Sequence, residues 1–408
     1  MRIVKEENNY SENINRVVAI SAGGTGGHIF PALAIAKILI QEGFYVIFYT
    51  DKKFFNYVEQ EDIFLRSGMI EIVQLTAKNA SRWKQIFMII EDLFLCKKIL
   101  TKKVSICIGF GGLVSFAPVM FSILTFKKTI IHEQNAVIGL ANKILLPFVS
   151  RCLISFKNTA GIRKMFRKKC VFVGNPIRDE IKKMVYNYDN PSVNYQAFYK
   201  IDDIINLTIT GGSQACDTFD KIIPQAIALL PVSITNKLHV IHQCRDVNIE
   251  MLRNFYTEYG ISHDVRSFFY NIGEVLRASH LIISRAGSTT ISEISALGVP
   301  SILIPLPTSA NNHQFYNAKF LRDNNATILL EQKDLTKENL SQFLLNLFDH
   351  DKLLSELSQC CRMVSNINAD ILFLNEINKI LGIRDKYTST DLTWTKNAGY
   401  INDNVGLG

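Results

Sequence analysis

Four times along this chain a short apolar run ends in a glycine-bearing loop that opens into a helical pattern. Arg16-Val-Val-Ala-Ile-Ser21 meets Gly23-Gly24-Thr25-Gly26-Gly27, and Val104-Ser-Ile-Cys-Ile-Gly109 meets Phe110-Gly111-Gly112. Ile205-Asn-Leu-Thr-Ile-Thr210 meets Gly211-Gly212-Ser213, and Leu281-Ile-Ile-Ser284 meets Arg285-Ala286-Gly287-Ser288-Thr289. Strand, tight turn, helix is the repeat of a parallel sheet built from right-handed crossovers. Tyr45–Thr50, Thr129–His132, His239–His242 and Ser301–Pro305 read as further strands, and the first long helix as Pro31 to Gln41. The fold class is therefore α/β: two Rossmann-like domains whose parallel sheets face a central cleft.

The length of 408 residues suits two such domains. A polar stretch from Arg178 to Asp203, rich in Asn, Tyr and Asp, reads as the linker region, and residues 384–408 as a disordered tail. The net charge of +8 permits an anionic partner without choosing one. No Lys/Arg-rich run with interleaved aromatics marks a nucleic-acid module, so no nucleic-acid partner is expected. Eight cysteines show no Cys-x-x-Cys spacing and read as buried thiols in a reducing compartment. Met1–Asn15 has no apolar segment and does not read as a signal peptide. Val104–Phe126 is free of charge, but its glycines and Pro118 point to a buried strand, a turn and a helix start instead of a membrane span.

Glycine at a strand-to-helix junction lets backbone N–H groups approach an anion, and the following helix N-terminus favours negative charge. One such loop is as often packing as function; four in two repeated units argue for a diphosphate ligand. The first loop departs from G-x-G-x-x-G because Ile29 stands where the third glycine belongs. Asp51 ends the second strand, where a dinucleotide enzyme would hold a ribose, so a nicotinamide oxidoreductase is the alternative of another reaction type. No Gly-Lys-Ser/Thr is present, which counts against an NTPase.

His28 directly follows the first loop, where a neutral imidazole at a positive helix end could take a proton from a sugar hydroxyl; the plain alternative is a satisfied structural histidine. His132-Glu133-Gln134-Asn135 closes a strand with four polar side chains and belongs in a cleft, unless Asn135 simply caps a helix. Arg178 could pair with a phosphate across the cleft. Glu293, near the start of the helix after the fourth loop, could accept ribose hydroxyls, and His313-Gln314 follows the strand end at Pro305-Leu-Pro307. Neither an Asp-x-Asp pair nor a His/Cys cluster accompanies these loops, so a mechanism without metal or cofactor is expected, with backbone N–H groups and basic side chains holding the leaving diphosphate.

Taken in order, Gly23-Gly-Thr-Gly-Gly-His28, Gly109-Phe-Gly-Gly112, His132-Glu-Gln-Asn135, Gly174-Asn-Pro-Ile-Arg178, Gly211-Gly-Ser-Gln214, Ser284-Arg-Ala-Gly287 through Glu293, and His313-Gln314 resemble the peptidoglycan N-acetylglucosaminyltransferases of glycosyltransferase family 28. The resemblance runs from about Val17 to Leu381. It implies a GT-B fold: an acceptor- and membrane-binding domain at 14–177, a UDP-sugar domain at 178–365, and a helix at 366–383 returning to the first domain. The reaction implied is inverting transfer of N-acetylglucosamine from UDP-N-acetylglucosamine to the 4-hydroxyl of the muramyl residue of lipid I, giving lipid II. By motif position, Thr25, Gly26, Gly27, Asn135, Arg178, Ser213, Ser288, Thr289, Thr290, Ile291, Ser292, Glu293 and Gln314 would bind the donor, and the backbone of Phe269 would meet the uracil. His28 would be the base, with Glu133 competing or assisting. Two departures are visible: Ala215 follows the third loop where glycine is usual, and would be strained if that position needs φ > 0, and Leu113 replaces an aromatic.

A lipid acceptor implies a peripheral enzyme at the cytoplasmic face of the inner membrane, with other cell-wall synthesis proteins as further partners. Trp83, Ile86, Phe87 and Ile90 lie at helical spacing with Lys78, Arg82 and Lys84 beside them, which suits an anionic membrane surface; an amphipathic core helix is the alternative. Three other functions stay open here: another GT-B enzyme with a lipid acceptor, a UDP-sugar epimerase, and an inactive nucleotide-sugar-binding scaffold.

Overall fold

The computed structural model describes residues 16–59, 61–76, 82–188, 204–212 and 215–384. Two parallel sheets form the frame. The first contains β1 (Val17–Ser21), β2 (Tyr45–Asp51), β3 (Ile70–Leu75), β4 (Ile106–Gly109), β5 (Lys128–Glu133), β6 (Arg151–Ile154) and β7 (Cys170–Phe172), in the order β3-β2-β1-β4-β5-β6-β7. The second contains β8 (Ile205–Thr210), β9 (Leu238–Gln243), β10 (Ser262–Arg266), β11 (Leu281–Ser284), β12 (Ser301–Leu303) and β13 (Ile328–Leu329), in the order β10-β9-β8-β11-β12-β13. In both, the chain reverses its direction of travel between the first strand and the fourth. That switch opens a crevice at the carboxyl ends of β1/β4 and β8/β11, where ligands of open α/β sheets bind.

Strands covered on both faces read as near-continuous apolar runs. In β1, Val18 and Ile20 face Ile29, Leu33 and Ile35 of the first helix, whereas Ala19 faces the opposite cluster with Ile47, Cys107 and Val119. The second sheet repeats the pattern, with Leu207, Ile209 and Ile283 packed on Phe219 and Ile223, and Ile282 and Leu303 on Ile291 and Ile294.

Several elements differ from the sequence reading. The first helix runs Gly26–Gln41 and starts five residues before Pro31, because the missing proline N–H forfeits only one bond inside it. His28 thus stands in the first turn and not ahead of the helix. The uncharged stretch resolves into β4, a turn and the helix Gly112–Leu124, with Pro118 inside it. Among the described residues no helix is long and apolar enough to cross a membrane. Asp179–Tyr188, read as linker, is a helix packed on the helix Ser288–Leu297; residues 189–203 and 385–408 lie outside the described residues.

The chain passes between the domains twice, and the two crossings touch. Gly174 has φ +85°, and a Cβ there would stand 2.9 Å from Cβ of Asn366. Asn366 Nδ2 donates to the Val173 carbonyl at 2.9 Å. The helix Ala369–Leu381 then packs on the first helix, and Phe373 stacks on Phe110 at 5.6 Å.

Candidate active site

The first turn of the helix Gly26–Gln41 divides two cavities. One, of about 360 Å³, lies between the domains and is of a size that holds a small ligand. Gly26, Gly27, Phe30, Lys53, Phe54 and Tyr57 line it from the first domain. From the second come Gly211, Gly212, Gln243, Phe269, Arg285, Ser288, Thr289, Thr290, Glu293 and Gln314, with Arg178 from the connecting segment. The other cavity belongs to the first domain and is lined by Thr25, His28, Asp51, Lys52, Lys53, Thr76 and Leu113.

Two helix N-termini meet across the first cavity. A Cβ added to Gly27 would stand 3.6 Å from Ser288 Oγ, so the helices starting at Gly26 and Ser288 nearly touch end to end. The third and fourth glycine loops converge as well: a Cβ on Gly212 or on Gly287 would lie 3.9 Å from Thr290 Oγ1. Unpaired N–H groups and helix dipoles therefore point into one space, the arrangement that binds a diphosphate. Gly212 takes a positive φ of +82° in this turn, while residues 213 and 214, ahead of Ala215, lie outside the described residues.

His28 is half-buried, and its Nδ1 lies 3.1 Å from the Gly23 carbonyl and 3.3 Å from Thr25 Oγ1. A carbonyl can only accept, so Nδ1 carries the proton and Nε2 keeps a free lone pair. Desolvation holds the imidazole pKa below its ordinary value, with His313 acting the same way, against the raising effects of the Gly23 carbonyl and Glu133. Beneath the ring runs the second glycine loop. A Cβ on Gly111 would come 3.4 Å from Nε2, and one on Gly112 3.3 Å from Cε1; both glycines have positive φ. The glycines here make room for the imidazole.

Glu133 is differently placed. Its side chain is 2% exposed, and Oε1 accepts from the Asn135 N–H (3.0 Å) and Asn135 Nδ2 (3.2 Å). Oε2 accepts from the Gly139 N–H and Asn142 Nδ2, both at 2.9 Å. With four donors already bound, this carboxylate braces the loop after β5 and lines neither cavity. His132, beside it, is fully buried; its pKa is pushed down to about 3 by desolvation, and it touches the Gly174 carbonyl, Ser155 and Gln134. It is a neutral structural histidine.

Glu293 is buried, donating nothing and accepting from Arg178 Nη1 at 3.3 Å, while Oε1 has no partner among the described residues. Burial raises its pKa to about 7; Arg178 opposes this and Glu180 adds to it. Gln314 accepts the Leu306 N–H through Oε1. Phe269 is buried in the cavity wall with the Arg266 guanidinium 5.9 Å from its ring.

Not every residue picked by motif reaches the cavity. Ile291 points into the hydrophobic core, and Ser292 turns to the hinge, where it accepts from Asn175 Nδ2 at 3.2 Å, because helical periodicity sends 288–290 and 293 elsewhere. Asn135 neither caps a helix nor lines either of these two cavities; its Oδ1 accepts from Asn317 Nδ2 at 3.1 Å. Asn317 also accepts the Ala136 N–H and donates to the Ala286 carbonyl, tying the domains together. Asp51 does not await a ribose: Oδ2 accepts the Gly24 N–H at 2.5 Å and Oδ1 the Phe54 N–H, so it anchors the first loop. Ser213 and Lys78 lie outside the described residues, as do the side chains of Arg82, Trp83, Lys84 and Ile86. Their helix runs Arg82–Leu95, and from it Phe87, Ile90 and Phe94 project into solvent.

Sequence reasoning missed Phe30, Lys53, Phe54, Tyr57 and Gln243. The available signal was position alone, since each follows or ends a strand at the carboxyl edge. Among the described residues no group of three or more His, Cys, Asp and Glu side chains could hold a metal ion.

Two doubly wound domains that close on a cavity flanked by two helix N-termini, with a histidine beside it, define the GT-B class of enzyme. Comparison with known proteins narrows the class: residues 18–154 match the glycosyltransferase family 28 N-terminal domain and 206–370 the family's C-terminal domain. The chain belongs to glycosyltransferase family 28. It is 33% identical over 349 residues to the Rickettsia felis UDP-N-acetylglucosamine–N-acetylmuramyl-(pentapeptide) pyrophosphoryl-undecaprenol N-acetylglucosamine transferase, covering 84% of this chain and 93% of that one. The crystal structure of Acinetobacter baumannii MurG superposes with a TM-score of 0.69 at 26% identity, over 89% of this chain and 99% of that one. The UDP-GlcNAc 2-epimerase of Neisseria meningitidis shares the fold, with a TM-score of 0.63, 12% identity and coverage of 89% and 100%.

Proposed function

We propose that this chain transfers N-acetylglucosamine from UDP-N-acetylglucosamine to the 4-hydroxyl of the muramyl residue of lipid I, with inversion at the anomeric carbon, giving lipid II. The observation that carries this reading is the division of labour at one helix turn. Gly26 and Gly27 present their backbone to the interdomain cavity, whereas His28 faces the cavity of the first domain. The donor occupies the first space, with the uracil at Phe269, the ribose at Glu293 and the diphosphate between the two helix N-termini and Arg178. The acceptor sugar enters the second. His28 Nε2 takes the proton from the 4-hydroxyl as that oxygen bonds to C1, the C1–O bond to the diphosphate breaks, and UDP departs with the bonding pair. Glu133 holds the loop that faces the base.

The lipid tail of such an acceptor stays in the bilayer, so the chain works at the cytoplasmic face of the inner membrane. The exposed Phe87, Ile90 and Phe94, at i, i+3 and i+7 on one helix, support this contact. Phe87→Ser with Phe94→Ser should cut sedimentation with anionic vesicles while leaving the melting temperature unchanged; undiminished sedimentation would exclude this face.

A direct test of the activity adds a soluble lipid I analogue and follows UDP release. Release with UDP-N-acetylglucosamine but not UDP-galactose is expected. Turnover of the donor alone to its 2-epimer would move the chain to the epimerases that share its fold.

A further inference from the structure

Phe30 lines the donor cavity, and its position ties two parts of the site together. It sits two residues beyond His28 on the helix Gly26–Gln41, and that offset turns it away from the acceptor cavity and into the donor cavity. The Arg178 guanidinium lies over its ring with Cζ 4.0 Å from the centroid. The same guanidinium donates to Glu293 at 3.3 Å. Tyr57 packs edge-on against Phe30, with centroids 5.9 Å apart and planes at 81°. Phe30 and Tyr57 belong to the first domain, Glu293 to the second, and Arg178 to the segment between them. The stack therefore bridges the domains at the mouth of the donor cavity.

We propose that Phe30 is a positioning residue: its ring is the platform that fixes Arg178 over the diphosphate site and, through the rigid first turn, sets His28 at its working distance from the donor. This rests on the proposed reaction and deepens it. Without the stack Arg178 keeps only its 3.3 Å contact to Glu293, and a guanidinium on that single tether would spend only part of its time where charge develops on the leaving diphosphate. An aromatic face attracts a cation through its negative quadrupole, whereas an aliphatic side chain of equal size offers only contact. The predicted loss therefore appears in the chemical step and not in recognition of uracil or ribose, which Phe269 and Glu293 supply.

The isosteric test is stepwise fluorination of the ring at position 30 up to pentafluorophenylalanine, which keeps the shape and the packing against Tyr57 while draining the negative face. kcat should fall step by step, to roughly 2–30-fold below the unsubstituted chain, the range set by exposed to desolvated cation–π contacts. KM for UDP-N-acetylglucosamine should stay within about twofold. Phe30→Leu should reproduce the loss and Phe30→Trp should restore most of it. A kcat that stays flat across the fluorinated series would overturn the proposal, as would a loss confined to KM. A wild-type chain that neither binds the donor nor releases UDP would instead overturn the proposed reaction itself.

Discussion

Replacing Glu133 by Gln separates a brace from a base, because the two roles predict opposite readouts. The carboxylate holds four N–H donors in a pocket that leaves 2% of the residue exposed. An amide offers one oxygen and one NH2 group, so two of those donors would face another donor. Hydrogen bonds to a charged group contribute about 1.5–3 kcal/mol each, which puts the loss at about 3–6 kcal/mol. In a domain of this size one kcal/mol moves Tm by about 2–4 °C, so Glu133→Gln should melt roughly 6–24 °C lower. Measured on folded protein well below that transition, kcat should drop less than tenfold, through loosening of the loop alone. His28→Ala should do the reverse: a small change in Tm, since the side chain is half-buried and gives up one bond to Gly23, and a fall in kcat of roughly 10²–10⁴-fold. Differential scanning calorimetry and UDP-release kinetics on the two variants decide the matter. A Glu133→Gln enzyme that melts like wild type but loses 10² or more in kcat would refute the assignment and make Glu133 the base.

Gly112→Ala places a Cβ 3.3 Å from the His28 ring at φ +72°; kcat should fall about 5–30-fold, from about 1–2 kcal/mol of strain, while calorimetric affinity for UDP-N-acetylglucosamine is unchanged. The base must be neutral and its pKa is lowered, so kcat should hold as pH falls through 6.5 and decline only below it, a limb that His28→Ala should lack. Stability has its own acid limb: His132 is neutral when folded with a pKa of about 3 against 6.5 unfolded, so its contribution is complete above pH 6.5 and is lost as pH falls toward 3. That difference corresponds to about 5 kcal/mol, and urea titrations of His132→Gln should show a shallower pH dependence than wild type. Arg178→Ala removes the cation beside a buried carboxylate; the Glu293 pKa should climb further, and donor KM should rise several-fold more at pH 8 than at pH 6, read from kinetics at both values.

By itself the sequence determined the class of architecture and where its ligand edge lies. Apolar strands followed by glycine turns and helices have one economical solution, and β8 and β11 fall on the residues that the apolar runs mark. Short edge strands such as β7 and β13 left little trace, since three or two residues carry no periodicity. His28 and Arg178 were visible because they adjoin glycine loops whose geometry is local. What a polar side chain does in a cleft is not local. His132, Glu133 and Asn135 read alike in the chain, yet burial and partners made one a neutral core histidine, one a saturated brace and one half of a bridge to Asn317. Asp51 likewise looked ready for a ribose until the Gly24 N–H claimed it. The cavity that Phe30, Phe54 and Tyr57 line exists only because two domains close on each other, and contacts between residues more than a hundred positions apart depend on how the sheets are set across the hinge. Local geometry follows from the neighbours in sequence; which lone pair remains free is decided by the neighbours in space.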